Sequence, residues 1–339
     1  MNNSAPILLL SQDYELFFHN SGSIEKCLVD PSEALVKTAR ELGAKVTFFV
    51  DAGMISCMDR FSGKYKAVAR AESLVKRNLE YIAGQGHEIA LHVHPHWEDV
   101  RWHDGEWDFS GTRYQPREFS EAEISEVFTG YTNILEELSG QKMTAYRAGG
   151  FCIEPFSVIK SALEQADIFV DSSVVPGAYL NDSSKGFDFR KVPDKEWWFF
   201  DNSVSEDVAD GRFLEIPISA QELPLLYYWG RLANRLLGER FSEHYGDGSA
   251  KKIGRTEILR RLVGNSRIAE ISLDEPKVEG LPGSLEKRPG SRLCHVMGHP
   301  KLLSDRSLGI LKSFVQKDRI SCFETVSSLA AQIREGGLN

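Results

Sequence analysis

The feature that most constrains this chain is an unbroken apolar run near its start, Ile7-Leu8-Leu9-Leu10-Ser11-Gln12. A strand with no polar face suits a parallel sheet covered on both sides. The residues that follow supply the alternation such a sheet needs. From Pro31 to Leu42, the residues Ala34, Leu35, Ala39 and Leu42 recur at helical spacing, with Pro31 near the start and Gly43 just past the end. Lys45 to Val50 reads as a second strand. Tyr65 to Gly84 reads as a second helix, with Val68, Leu74, Val75, Leu79 and Ile82 inward, and Glu88 to Leu91 as a third strand. The expected fold class is α/β, a parallel sheet or barrel. In such folds ligands gather at the carboxyl ends of the strands.

Those ends carry reactive side chains. The first strand runs into Asp13-Tyr14-Glu15, and residues two apart on an extended chain face the same way. The third runs into Gly86-His87-Glu88-Ile89-Ala90-Leu91-His92-Val93-His94-Pro95-His96-Trp97, which holds four of the chain's nine histidines. Imidazole is the commonest side-chain metal ligand. If the strand continues to His94, then His92 and His94 point together. If the chain bends at Pro95, then His92 and His96 converge. A short strand from Thr144 delivers Arg147 to the same end, ahead of Gly149 and Gly150. The last informative strand, from Arg292, ends at His299, with His295 mid-strand and structural.

The remaining elements fit one domain over residues 1–339, with an inserted or elaborated region at about 182–290. Residues 98–118 form an aromatic loop, and Ser120 with Glu123 caps a helix to about Leu138. Helices are expected at Ile153–Ala166, Arg255–Val263, Leu308–Val315 and Ser327–Glu335. Strands are expected at Phe169–Val174, Phe213–Ile218, Ile271–Leu273 and Ile320–Glu324. Leu223 to Leu237 is an apolar helix with Arg231 and Arg235, suited to covering the barrel or to lying on a membrane surface or partner. A net charge of −9 argues against nucleic acid as a partner. The five cysteines form no C-x-x-C pair, which argues against a thiolate metal site and fits a reducing compartment. The first residues lack a positively charged leader, and Ile7–Leu10 is too short to span a bilayer, so a cytoplasmic location is expected.

Taken together, these pieces resemble the polysaccharide deacetylase superfamily, in its Asp-x-Glu branch. Asp13-Tyr14-Glu15 stands for its first motif, Thr47-Phe48-Phe49-Val50 for its Ala-Thr-Phe-Phe strand, and His92 and His96 for its His-x-x-x-His motif. Arg147, Asp171-Ser172-Ser173, Glu215-Ile216-Pro217 and His299 follow in the family's order. The resemblance implies a deformed (β/α)7 barrel and a metal-dependent hydrolase. It implies Glu15, His92 and His96 as metal ligands, with His94 as a further candidate. Asp13 would be the general base, Arg147 its holder and His299 the general acid. Trp97, Tyr146 and Gly150 are expected to contact substrate. Tyr14 departs from the adjacent aspartate pair of the common motif, so either Asp13 or Glu15 is the carboxylate ligand.

The implied metal is zinc first, with other first-row divalent ions suited to the same nitrogen and oxygen donors. The implied reaction removes an N-acetyl or N-formyl group from an amino sugar, on a nucleotide-linked or lipid-linked precursor of a surface polysaccharide. Two rival readings predict different behaviour. An amidohydrolase-like barrel would use His92 and His94 as its metal pair on a cyclic amide. A saccharide-binding barrel would bind without turnover.

Overall fold

Nine strands form one curled sheet in a computed structural model that describes residues 6–182, 185–236, 244–250, 267–288 and 290–338. These strands are β1 (Ile7–Tyr14), β2 (Thr47–Asp51), β3 (Glu88–Val93), β4 (Ala145–Ala148), β5 (Val170–Asp171), β6 (Trp198–Phe200), β7 (Phe213–Glu215), β8 (Leu293–Val296) and β9 (Cys322–Glu324). They lie in the order β6-β7-β5-β4-β3-β2-β1-β8, with β9 beside β1. Every pairing is parallel except that of β6 with β7. All eight residues of β1 are buried, as an apolar run covered on both faces requires. Its first half, Ile7–Leu10, pairs with β8, while Ser11–Tyr14 pairs with β2.

The described α-helices are α1 (Asp30–Leu42), α2 (Ala52–Ser62), α3 (Lys66–Gly84), α4 (Glu121–Ser139), α5 (Lys160–Gln165), α6 (Leu225–Leu236), α7 (Asp305–Lys317) and α8 (Val326–Arg334), and three two-stranded pairs lie outside the main sheet. α1 ends on Gly43 in the left-handed conformation, φ 69°. α4 starts at the Ser120–Glu123 capping box. α2 was not legible in the sequence. It fits because Gly53 lies against Trp97 and Tyr131, where a Cβ would come within 2.7 Å of the Tyr131 hydroxyl. The helix expected over Ile153–Ala166 is shorter. Pro155 disfavours it, and the Glu154 carboxylate instead accepts from the amides of Phe156 and Val204.

The expected deformed barrel is a half-barrel, because the sheet curls without strand pairing between β6 and β8 among the described residues. An irregular segment bridges the opening. The amides of Ile216 and Ile218 donate to the Asp171 and Val174 carbonyls at 2.9 and 2.8 Å, and that of Ser219 to the His295 carbonyl at 3.0 Å. Ile271–Leu273 is not a strand of its own. The strand there is Arg267–Glu270, antiparallel to Ala220–Leu223. Ile271–Leu273 instead runs alongside Met297, with Leu273 donating to its carbonyl at 2.8 Å.

Part of the region at 182–290 belongs to the main sheet, since it supplies β6 and β7. The expected helix at Arg255–Val263 lies outside the described residues. On α6, none of the described side chains is buried, and Trp229 is 49% exposed. Among the described residues, no helix is long and apolar enough to cross a membrane.

Candidate metal centre at the carboxyl ends of the strands

The pleat of β1 sorts its last residues. Asp13 and Glu15 face the cavity. Tyr14 faces the helical layer, fully buried, and donates to Asn78 Oδ1 on α3 at 3.0 Å. The aromatic residue between the two carboxylates is therefore core packing.

Glu15, His92 and His94 each turn one ligand atom towards a common point, with those atoms all within 4.8 Å of one another. Glu15 Oε2 lies 2.7 Å from His94 Nε2 and 3.4 Å from His92 Nε2. Beyond these mutual contacts, none of the three atoms has a hydrogen-bond partner among the described residues, although all are buried. Buried polar atoms in folded proteins are for the most part paired, so this close approach calls for something that satisfies all three. The tautomer of His92 is set from behind. Its Nδ1 donates to the Arg147 carbonyl at 2.9 Å, which leaves the Nε2 lone pair facing Glu15. Burial alone would raise Glu15, but Lys301, His94 and His92 outweigh it and hold the carboxyl well below its usual range. Two imidazole nitrogens and one carboxylate oxygen fit a divalent cation with coordination positions left open.

His96 stands outside this group. Its ring is 5.1 Å from that of His94 and stacks on Tyr114 at 5.5 Å with a 6° interplanar angle. Phe18 covers both His94 and His96, with ring centroids 4.6 Å away in each case. Both ring nitrogens of His96 are buried without a hydrogen-bond partner among the described residues.

Arg147 reaches across the sheet from β4 and is fully buried. Its Nη1 donates to Asp13 Oδ1 at 2.6 Å, its Nε to the Ser172 carbonyl at 2.7 Å, and its Nη2 to Ser11 Oγ at 3.0 Å. The guanidinium also lies 4.0 Å above the ring of Phe49. Under it, His295 is held well below its usual range by burial and by Arg147, so it is a neutral, structural imidazole. Burial and the neighbouring Asp171 push Glu215 well up, and the two carboxylates support the segment around Ser173 by accepting from Ser173 Oγ at 2.7 Å and from the Val174 amide at 3.1 Å.

His299 approaches from the opposite side. Its amide donates to Asp274 Oδ1 at 2.7 Å, and its Nδ1 contacts Asp274 Oδ2 at 2.8 Å. That contact aims Nε2 at the cavity, 3.6 Å from Glu15 Oε1 and 3.9 Å from Asp13 Oδ2. Burial would lower His299, but Asp274, Glu15 and Asp13 raise it. Its side chain is 19% exposed, against 9% or less for Asp13, Glu15, His92 and His94, so His299 is the most accessible of these five.

The structure thus gathers Asp13, Glu15, His92, His94, Arg147 and His299 at one place. It does not put all three expected substrate contacts there. Trp97 is fully buried, with Nε1 donating to Asp51 Oδ2 at 2.5 Å. Tyr146 points opposite to Arg147, into the core beside Phe128. Both belong to the helix-side core because strand and turn direction send them there. Gly150, φ 59°, admits Tyr114, whose hydroxyl would be 2.5 Å from a Cβ at that position. Three residues were not singled out by the sequence: Asp51, Asp274 and Lys301. Asp51 and Asp274 each follow directly on an apolar extended run, the same signal that singled out Asp13. Burial pushes Asp51 up to about 6, against the pull of His94 and His92.

No family model matches this sequence, and no curated protein does. The structure is similar to that of a protein from Mycobacterium smegmatis described as a polysaccharide deacetylase. The two share 15% identity at a TM-score of 0.55, over 100% of this chain and 94% of the other. The fold is that of the polysaccharide deacetylases. The same deacetylase fold resembles Puue allantoinase, with 12% identity and a TM-score of 0.50, over 96% of this chain and 89% of the other.

Proposed function

We propose that this chain is a metal-dependent hydrolase that removes an N-acetyl or N-formyl group from an amino sugar. The observation that carries the reading is the convergence of Glu15 Oε2, His92 Nε2 and His94 Nε2 on one buried point, with Asp13 and His299 flanking it. Glu15, His92 and His94 would hold the metal, with His96 the neighbouring alternative to His94. A divalent cation there would supply Lewis-acid polarisation of the amide carbonyl and of the attacking water. Zinc suits the donors, as do other first-row divalent ions.

The chain's own residues supply the proton transfers. Arg147 holds one oxygen of Asp13, so the other stays turned to the cavity to take the water's proton. His299 is held at Nδ1 by Asp274, and its Nε2 can give a proton to the departing amine. The apolar helix α6 leaves none of its described side chains buried, with Trp229 49% exposed, and this supports a substrate presented at or near a membrane, such as a lipid-linked saccharide. A nucleotide-linked precursor is the other source of the same sugar, and both fit a cytoplasmic enzyme of surface-polysaccharide assembly.

The test is acetate and formate release from a panel of N-acylated nucleotide sugars and lipid-linked saccharides, with metal-loaded wild type and Asp13→Asn in parallel. Release by the wild type alone is expected. Equal release by both proteins would remove Asp13 from the mechanism, and no release from any substrate would sink the reading. A second reading has an observation of its own. The grouped pair is His92 with His94, the pair that the cyclic-amide reading uses, and one similar fold is named as an allantoinase. Ring opening of cyclic amides by the same preparation would favour that reading.

A further inference from the structure

A buried lysine sits on the carboxylate of the metal centre proposed above. Lys301 is 5% exposed. Its Nζ donates to Glu15 Oε1 at 2.8 Å and to the Leu16 carbonyl at 2.8 Å. The ammonium lies 5.0 and 5.4 Å from the ring centres of Phe17 and Phe18, and Phe18 in turn rests on His94 and His96. The turn Pro300–Leu302 that carries it follows directly on His299. A lysine so deeply placed persists only with a charge partner. Here the partner is the one anion of the ligand group.

Three of the carboxylates at the site already face a cation, while Asp51 accepts, among the described residues, only from the Trp97 indole N–H. Asp13 faces Arg147, Asp274 faces His299, and Glu15 faces Lys301. A divalent cation entering the Glu15–His92–His94 group therefore meets a carboxylate that is already neutralised. We propose that Lys301 is a positioning residue of the metal centre. It confines Glu15 to one ligand oxygen, Oε2, and weakens the hold on a divalent cation by standing as a second cation on the same carboxylate. The metal is then held exchangeably. This inference rests on the metal reading of the site. Lys301 acts through Glu15 and not on substrate.

Removing the charge while keeping a donor separates its two effects. In Lys301→Gln the amide can still donate to Glu15 Oε1, but the positive charge is gone. Lys301→Met, an apolar chain of similar reach against Phe17 and Phe18, is the second neutral variant. Lys301→Arg keeps the charge. Each protein is stripped by a chelator, checked for its native circular dichroism spectrum, and titrated with Zn2+ against a chromophoric competitor. The neutral variants are expected to bind Zn2+ on the order of tenfold more tightly or better, since like charges at one carboxylate repel strongly in a partly buried site. Lys301→Arg is expected to keep the wild-type affinity. Unchanged or weaker binding by the folded neutral variants, beside a wild type that binds, would overturn this inference and leave the metal reading standing. Absence of Zn2+ binding by every protein would overturn both.

Discussion

Replacing Arg147 by Met isolates the cost of an unpaired carboxylate beneath the site. Arg147 and Asp13 are both nearly inaccessible, 0% and 5% at the side chain, and meet at 2.6 Å. Methionine keeps an apolar chain against Phe49 but deletes the donors to Asp13, Ser11 and the Ser172 carbonyl. Breaking a buried pair by removing one partner costs about 3–5 kcal/mol, because the remaining charge keeps its desolvation penalty. That is a large share of a total stability of roughly 5–15 kcal/mol, yet within what a folded protein can lose. The assay is urea denaturation followed by tryptophan fluorescence for wild type, Arg147→Met, Asp13→Asn and the double variant. If the broken pair accounts for most of each loss, the double variant is more stable than the sum of the single losses predicts, by about 2 kcal/mol or more. Additive losses, or a loss below about 1 kcal/mol for Arg147→Met alone, would refute this reasoning. The measurement needs no substrate, so it tests the architecture separately from the chemistry.

Three further outcomes follow from the same geometry. His94→Ala should abolish Zn2+ binding while His96→Ala largely spares it, by calorimetry; the reverse pattern would restore the His92–His96 pair that the family resemblance implies. Asp274→Asn should lower kcat by about 10²-fold or more with little change in KM, because His299 loses the carboxylate that orients it; a near wild-type kcat would remove His299 as the acid. His87 is 3% exposed, its Nδ1 accepts from the Val46 amide at 3.2 Å, and burial with Lys45 lowers it to about 4. A lowered histidine leaves the unfolded chain the better proton acceptor, so its contribution is full above about pH 6.5 and is lost as pH falls towards 4. Stability of wild type relative to His87→Gln should therefore shrink across that window, by up to about 3 kcal/mol; a difference that stays constant with pH would exclude His87 as the cause.

The sequence by itself determined the layered α/β fold and the identity of most groups at its open end. The apolar runs of β1 and β2 and the helical stripes of α1 and α3 are local patterns, so they could be read without partners. The two-residue period of β1 likewise placed Asp13 and Glu15 on one side, and the structure puts Tyr14 on the other. Elements whose signal was short or interrupted were not legible: α2 merges with the strand before it, and Pro155 cuts the expected helix at Ile153–Ala166. Only the tertiary structure grouped His92 with His94 and Glu15. The chain continues extended through His94, and Phe18 and Tyr114 pack around His94 and His96 from segments distant in sequence. Lys301 and Asp274 were also decided there. Lys301 meets a carboxylate 286 residues earlier, and Asp274 reaches His299 because Ile271–Leu273 lies alongside Met297. Local spacing fixes which way a side chain points along its own strand. Which charges come to share one cavity is fixed by strand order and register, and those depend on burial across the whole sheet.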